Sequence, residues 1–232
     1  MKISIIFPTR KRYDLFVKST NSLIENCSDL NNLEILVAMD DDDVETVQKT
    51  KEYITDKPFI KLYVSERHFY RNLNLYVNAT SKDATGEFLL LWNDDCMMTS
   101  KDYDLVMDKY KNKFVVVNPL VTNQTDYCRK DNQMLFPIIP KKWIDVTGRW
   151  SNSGACDSWV QLISNDLNIS IYEDDIQIFH EREFIQDEIT IESHPDKNFI
   201  AYFSFFTEEK HNERMTDLRL IRDYLSKQTE SE

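Results

Sequence analysis

Apolar residues over the first hundred positions switch between two periods, and the switching predicts alternating strands and helices. Lys2 to Phe7 is an apolar, β-branched run stopped by Pro8, the pattern of a buried strand. Tyr13, Phe16, Val17, Thr20, Leu23, Ile24 and Cys27 then return at helical spacing. A second strand spans Glu34 to Met39 and stops at four consecutive aspartates, Asp40 to Asp43. Those acids suit the positive end of the next helix, whose Val44, Val47 and Ile54 share a face. Phe59 to Val64 is a third strand, Phe69, Leu73, Val77 and Thr80 mark a third helix, and Gly86 introduces a strand from Glu87 to Trp92. Strands joined by single amphipathic helices predict an α/β fold, a mainly parallel sheet with helices on both faces.

The second half is less regular. Phe114 to Asn118 reads as a strand closed by Pro119, and Thr122 to Gln133 as a loop. Pro140 opens a short helix carrying Trp143 and Ile144, with Gly148 as its left-handed cap. A loop from Arg149 to Ala155 leads to a helix bearing Cys156, Trp159, Val160, Ile163 and Leu167, with Asp157 in its first turn. Ser170 to Tyr172 and Ile176 to Phe179 are short strands, the second ended by His180. Asn198 to Phe206 is rich in aromatics, and Thr207 to Lys227 is a charged amphipathic helix. The expected organisation is one domain over residues 1–185 and a C-terminal helical appendage over 186–232.

Composition narrows the chemistry. A chain of 232 residues, 41% hydrophobic and 29% charged, is long and apolar enough for a full core. It has three glycines, Gly86, Gly148 and Gly154, where about 7% of residues is usual. Neither a dinucleotide fingerprint, a P-loop nor a kinase glycine loop can be built from them, so any phosphate must be held by another device. The net charge of −12 is a poor match for nucleic acid and a good one for a divalent cation. The longest apolar run, Phe88 to Trp92, is far too short to span a membrane, and the amino terminus lacks a signal-peptide cleavage pattern. Four cysteines without a C-x-x-C pair suit reduced thiols, so a cytoplasmic protein is expected.

In parallel sheets ligands sit beyond the carboxyl ends of the strands. Two of those ends are acidic here: Asp40–Asp43 and Asn93-Asp94-Asp95. Each cluster alone suits a turn or a helix cap. Together they bring like charges to one sheet edge, where a bound cation would relieve the repulsion. His180 can complete such a cation site or simply end a strand, and Arg182 follows it. Asp157 is either an ordinary acid at a helix N-terminus or, ionised by that helix, a general base.

These residues resemble a known family. Ile3-Ser-Ile-Ile-Phe-Pro-Thr-Arg-Lys-Arg12 is similar to the opening strand of inverting glycosyltransferases of the GT-A fold, family 2 type. Glu34-Ile-Leu-Val-Ala-Met-Asp-Asp41 looks like their second strand, and Gly86-Glu-Phe-Leu-Leu-Leu-Trp-Asn-Asp-Asp95 like the run ending in their DxD-type motif. The resemblance covers residues 1–182. It implies a GT-A-like, Rossmann-related fold, with a nucleotide-sugar half over 1–96 and an acceptor half over 97–185. It implies donor binding by Pro8, Thr9, Arg12, Asp40, Asp42, Arg71, Asn93 and Asp94, metal binding of Mn²⁺ or Mg²⁺ by Asp95 and His180, and catalysis by Asp157. Trp150 and Trp159 are the acceptor-side expectation, since sugars present apolar faces to rings; core packing is the competing reading for Trp159. Arg67, Arg71 and Arg182 would add positive charge, with Arg71 and Asn78 on one helical face; a solvated face is the competing reading. Departures are Asn93 at the first motif position, Cys156 before the base, and aspartate throughout the turn after strand two.

The implied activity is metal-dependent transfer of a sugar from a nucleoside diphosphate-sugar, UDP- or GDP-linked, to a hydroxyl of a glycan or other acceptor, with inversion. An ion held by Asp95 would take the place of the missing glycine cradle. The alternatives are a non-catalytic nucleotide-sugar or cation-binding module on the same fold, a nucleotidyltransferase, and an interaction protein with an acidic surface.

Overall fold

The computed structural model describes residues 1–181 and 205–229. Its first part follows the predicted alternation: β1 (Ile3–Pro8), α1 (Tyr13–Asn26), β2 (Leu33–Asp40), α2 (Val44–Tyr53), β3 (Ile60–Ser65), α3 (Leu73–Asp83) and β4 (Phe88–Leu91). β1, β2 and β4 are mostly apolar on both sides because both sides are covered, whereas the edge strand β3 is partly exposed. Ile3, Ile5 and Phe7 of β1 pack with Phe16, Leu23 and Val47 of α1 and α2. Ile6 points the other way, into a second core with Val77, Trp143 and Trp159. Each such side chain contributes roughly 1.5–3 kcal/mol by leaving water.

Eight strands form one sheet in the order β3-β2-β1-β4-β7-β6-β8-β5. The β3-β2-β1-β4 half is parallel throughout, and its single-helix crossovers make it so. Beyond it lie β5 (Cys96–Met98), α4 (Tyr103–Val106), β6 (Val116–Val121), α5 (Thr125–Arg129), β7 (Ile138–Pro140), α6 (Lys141–Thr147), α7 (Cys156–Asp166) and β8 (Ser170–His180). β7 is antiparallel to both β4 and β6, β6 is parallel to β8, and β5 runs antiparallel to β8. α8 (Glu208–Thr229) packs on α6 and α7, with Leu218 and Ile221 in the second core.

Several local expectations give way to tertiary contacts. The strand expected to stop before Pro119 continues to Val121, because the β6–β8 register shifts between Pro119 and Leu120 and absorbs the missing donor. The same irregularity lies within β8, which is one strand rather than two short ones. The polar stretch read as a loop contains α5. Pro140 ends β7 and precedes α6, while Gly148 is left-handed at φ 75°, as its cap position predicts. Phe69 lies outside α3, at φ 60°, before a 3₁₀ turn over Tyr70–Asn72. Strands β5 and β7 are three residues each, too short to leave a periodic signal. Arg182 and the aromatic stretch up to residue 204 lie outside the described residues. No helix among the described residues is long and apolar enough to cross a membrane.

Candidate active site

Parallel register brings the carboxyl ends of β1, β2 and β4 level. Pro8 pairs with Ala38 and Ile6 with Leu91, so Thr9, Asp40 and Asn93–Asp95 emerge at one edge. Thr9 Oγ1 donates to Asp94 Oδ2 at 2.6 Å, and Arg12 Nη1 donates to Asp94 Oδ1 at 3.0 Å. Arg10 joins two more acids, donating to Asp40 Oδ2 at 2.8 Å and bidentately to Asp42. The Lys11 N–H donates to Asp43 Oδ2 at 2.6 Å. Asn93 contributes its backbone carbonyl, which accepts from Ser19 Oγ at 3.3 Å.

This arrangement corrects the electrostatic premise drawn from the sequence. Repulsion among the aspartates does not by itself require a cation, because Arg10 and Arg12 neutralise Asp40, Asp42 and Asp94. Burial still pushes the Asp94 carboxyl up to about 6, against the pull of Arg12.

Asp95 is set apart from that network. The antiparallel β5–β8 pair places Cys96 opposite His180, and the Glu181 N–H donates to the Asp95 carbonyl at 2.7 Å. His180 Nε2 consequently lies 3.4 Å from Asp95 Oδ1. Burial raises the Asp95 carboxyl, but His180 and Arg12 outweigh it and hold the group below the ordinary aspartate range. Asn123 brackets the His180 backbone, accepting from its N–H at 3.1 Å and donating to its carbonyl at 2.7 Å. The ring packs edge-on against Phe136, and Nδ1 lies 3.4 Å from Gln124 Oε1. With Nδ1 directed at that amide oxygen, Nε2 is the ring nitrogen that faces Asp95.

The Asp95–His180 pair fits a divalent cation on two counts. His180 Nε2 is buried and makes no hydrogen bond. Two donors each about 2.1 Å from one ion stand roughly 3.0–3.4 Å apart, the separation seen. Cys96 completes a cluster with them, and burial together with the neighbouring Asp95 drives its thiol pKa well above the ordinary value.

Asp157 lies in the first turn of α7, where a negative charge suits the helix N-terminus and its Oδ1 accepts the Ser158 N–H at 2.7 Å. Helix α3 connects its loop to the aspartates. Tyr76 of α3 donates its hydroxyl to Asp40 and accepts the His68 N–H at 2.6 Å. Two residues on, Asn78 Oδ1 accepts the N–H groups of Trp150 at 2.8 Å and Ser151 at 3.2 Å, and Nδ2 donates to the Ser151 carbonyl at 2.8 Å. Gly154 abuts the backbone of Arg71, whose side chain is exposed. Arg71 and Asn78 thus meet the same loop, but not from one helical face as expected: Arg71 lies in the 3₁₀ turn ahead of α3 and meets the loop through its backbone.

The acceptor-side expectation for the tryptophans is corrected. Trp150 and Trp159 are both 0% exposed, so neither ring has a face for a sugar. Trp150 Nε1 donates to the Cys156 carbonyl at 3.3 Å, and Trp159 Nε1 to Asp217 Oδ2 at 3.0 Å. Tryptophan at helical spacing is core here. Conversely, the sequence reading passed over Arg10, Tyr76, Asn123, Gln124 and Phe136. Arg10 had a signal, its place two residues past the end of β1; the others act across chain separations that leave none.

A family model described as "Glycosyl transferase family 2" matches residues 4–161. No curated protein sequence matches the chain. Among solved structures, mannosyltransferase PcManGT from Pyrobaculum calidifontis, in complex with GDP-Man and Mn²⁺, superposes with a TM-score of 0.65 at 14% identity. That match covers 87% of this chain and 59% of the mannosyltransferase chain, so the chain spans less than two thirds of that protein. The crystal structure of S. aureus TarS 1–349 in complex with UDP gives a TM-score of 0.62 at 16% identity, covering 92% of this chain and 68% of that one. The same fragment with UDP-GlcNAc gives 0.59 at 16% identity, over 77% and 57%.

Proposed function

The chain belongs to glycosyl transferase family 2 and has the GT-A fold, and on that premise we propose that it moves a sugar from a UDP- or GDP-linked donor to a hydroxyl acceptor, with inversion and with Mn²⁺ or Mg²⁺. The observation that carries the reading is the buried, unbonded His180 Nε2 facing Asp95 at 3.4 Å, beside the Thr9–Arg12–Asp94 cluster. The GDP-Man and Mn²⁺ held by the mannosyltransferase, and the UDP and UDP-GlcNAc held by TarS, support the same choice of donor.

Asp95 and His180 would hold the cation, which when bound offsets the charge that gathers on a departing diphosphate. Pro8, Thr9, Asp40, Asp42, Asn93 and Asp94 would line the donor, with Arg10 and Arg12 fixing the acids among them. Arg71, exposed beside the loop of Asp157, would supply a guanidinium for the diphosphate oxygens. Asp157 would take the proton of the acceptor hydroxyl as that oxygen bonds to the anomeric carbon, on the face opposite the leaving group. The bond from that carbon to the diphosphate breaks in the same step, and its electron pair leaves with the diphosphate.

Calorimetry with UDP and GDP, with Mn²⁺ and with EDTA, tests the site. Asp95→Ala should weaken binding in Mn²⁺ and change little in EDTA. Asp157→Asn should bind like the parent and lose donor turnover. Equal binding by Asp95→Ala in both media would remove the cation from the mechanism. Turnover unchanged in Asp157→Asn would remove the base.

A further inference from the structure

The segment that carries Asp157 is fastened at both ends by one carboxylate from the C-terminal helix. Asp217 of α8 is 1% exposed. Its Oδ1 accepts Arg149 Nη2 at 2.9 Å, and its Oδ2 accepts Arg149 Nε at 3.1 Å and Trp159 Nε1 at 3.0 Å. Arg149 opens the loop ahead of Asp157, and Trp159 stands two residues after it. Between those points the loop is gripped from the opposite side by Asn78 and by the Arg71 backbone.

We propose that Asp217 is a positioning residue for Asp157, and that α8 is through it a working part of the transfer site. The proposal rests on Asp157 being the base. Packing alone does not call for a carboxylate here. Leu218 and Ile221 already seat α8 in the core, and a buried ion pair is commonly no better for stability than apolar side chains of similar volume. A bidentate guanidinium–carboxylate pair sets orientation as well as distance, and the indole bond extends that constraint to α7. A loop end free to shift by about 1 Å would cost roughly a hundredfold in rate.

The test compares Asp217→Asn and Arg149→Lys with Ile221→Ala, which loosens the same helix without removing a hydrogen bond to Arg149 or Trp159. Two readouts are taken: amide hydrogen exchange across residues 149–159, and hydrolysis of UDP-GlcNAc and GDP-mannose in Mn²⁺. Both latch variants should exchange at least tenfold faster across that segment. Their kcat should fall roughly a hundredfold, with the donor KM within about twofold of the parent. Ile221→Ala should lower the melting temperature and leave segment exchange and kcat alone. Latch variants whose segment exchange matches that of Ile221→Ala would overturn the proposal, whether or not either donor is turned over. Asp157→Asn, run in parallel, separates the premise: undiminished hydrolysis there removes the base itself, while the exchange result still decides whether Asp217 orders the segment.

Discussion

Gly154→Ala is the most direct test of how the loop of Asp157 is placed. A Cβ at position 154 would lie 2.4 Å from the Arg71 carbonyl oxygen, 2.8 Å from its carbon and 3.1 Å from the Tyr70 oxygen. Carbon–oxygen contacts close to about 3.3 Å at best, so the loop and the Tyr70–Asn72 turn must separate by about 0.9 Å. Neither side yields easily, since both neighbours are backbone and Asn78 ties the loop to α3. Overpacking of this kind costs about 1–3 kcal/mol, and each kcal/mol lowers the melting temperature of a domain this size by roughly 2–4 °C. A displacement near 1 Å at a catalytic group costs on the order of a hundredfold in rate. Thermal unfolding, donor hydrolysis and UDP binding in Mn²⁺ should therefore show a less stable protein that binds nucleotide and turns over poorly. Gly148→Ala is the matched control. Its φ of 75° disfavours a side chain, but nothing lies within 4 Å, so about 1 kcal/mol of backbone cost should appear without loss of turnover. Parent-like stability and turnover in Gly154→Ala would show that the loop and the turn are not in contact in the working enzyme.

Other predictions address separate links. His180→Ala should abolish the Mn²⁺-dependent part of UDP or GDP binding measured by calorimetry, while binding in EDTA is unchanged. Arg10→Ala leaves the buried Asp40 short of a partner and should destabilise the fold by about 3 kcal/mol in denaturant titration. Asp40→Asn in the same chain should recover part of that loss. Glu34 is 1% exposed; burial would raise its carboxyl, but Lys61, Ser4 and Thr85 together hold it near about 2. A folded value below the ordinary 4.5 means that its contribution is complete above pH 4.5 and is lost as pH falls toward 2. That contribution is about 3 kcal/mol, and Glu34→Gln should flatten acid unfolding across that window.

Periodicity and composition determined much of this molecule. An apolar run ended by Pro8, four aspartates after a second run, and Asn93-Asp94-Asp95 after a fourth sufficed to place three strand ends and their acids at one edge. Three glycines sufficed to exclude the glycine-built phosphate cradles. Such inferences succeed because backbone period and side-chain burial are local properties of a strand or helix.

What tertiary structure alone decided is which side chains meet. Thr9 and Asp94 bond across 85 residues, and Asn123 and His180 across 57. β5 is three residues long, yet its antiparallel pairing with β8 is what sets Asp95 before His180. Trp150 and Trp159 carry the same local pattern whether a ring stacks on sugar or fills a core, and only the arrival of α3, α6 and α8 buries them. Arg10 meets Asp40 and Asp42, and Arg12, expected at the donor, meets Asp94, only because β1 lies between β2 and β4. Spacing along a chain reports which way a side chain faces, whereas its partner is chosen by contacts whose sequence separation no local period encodes.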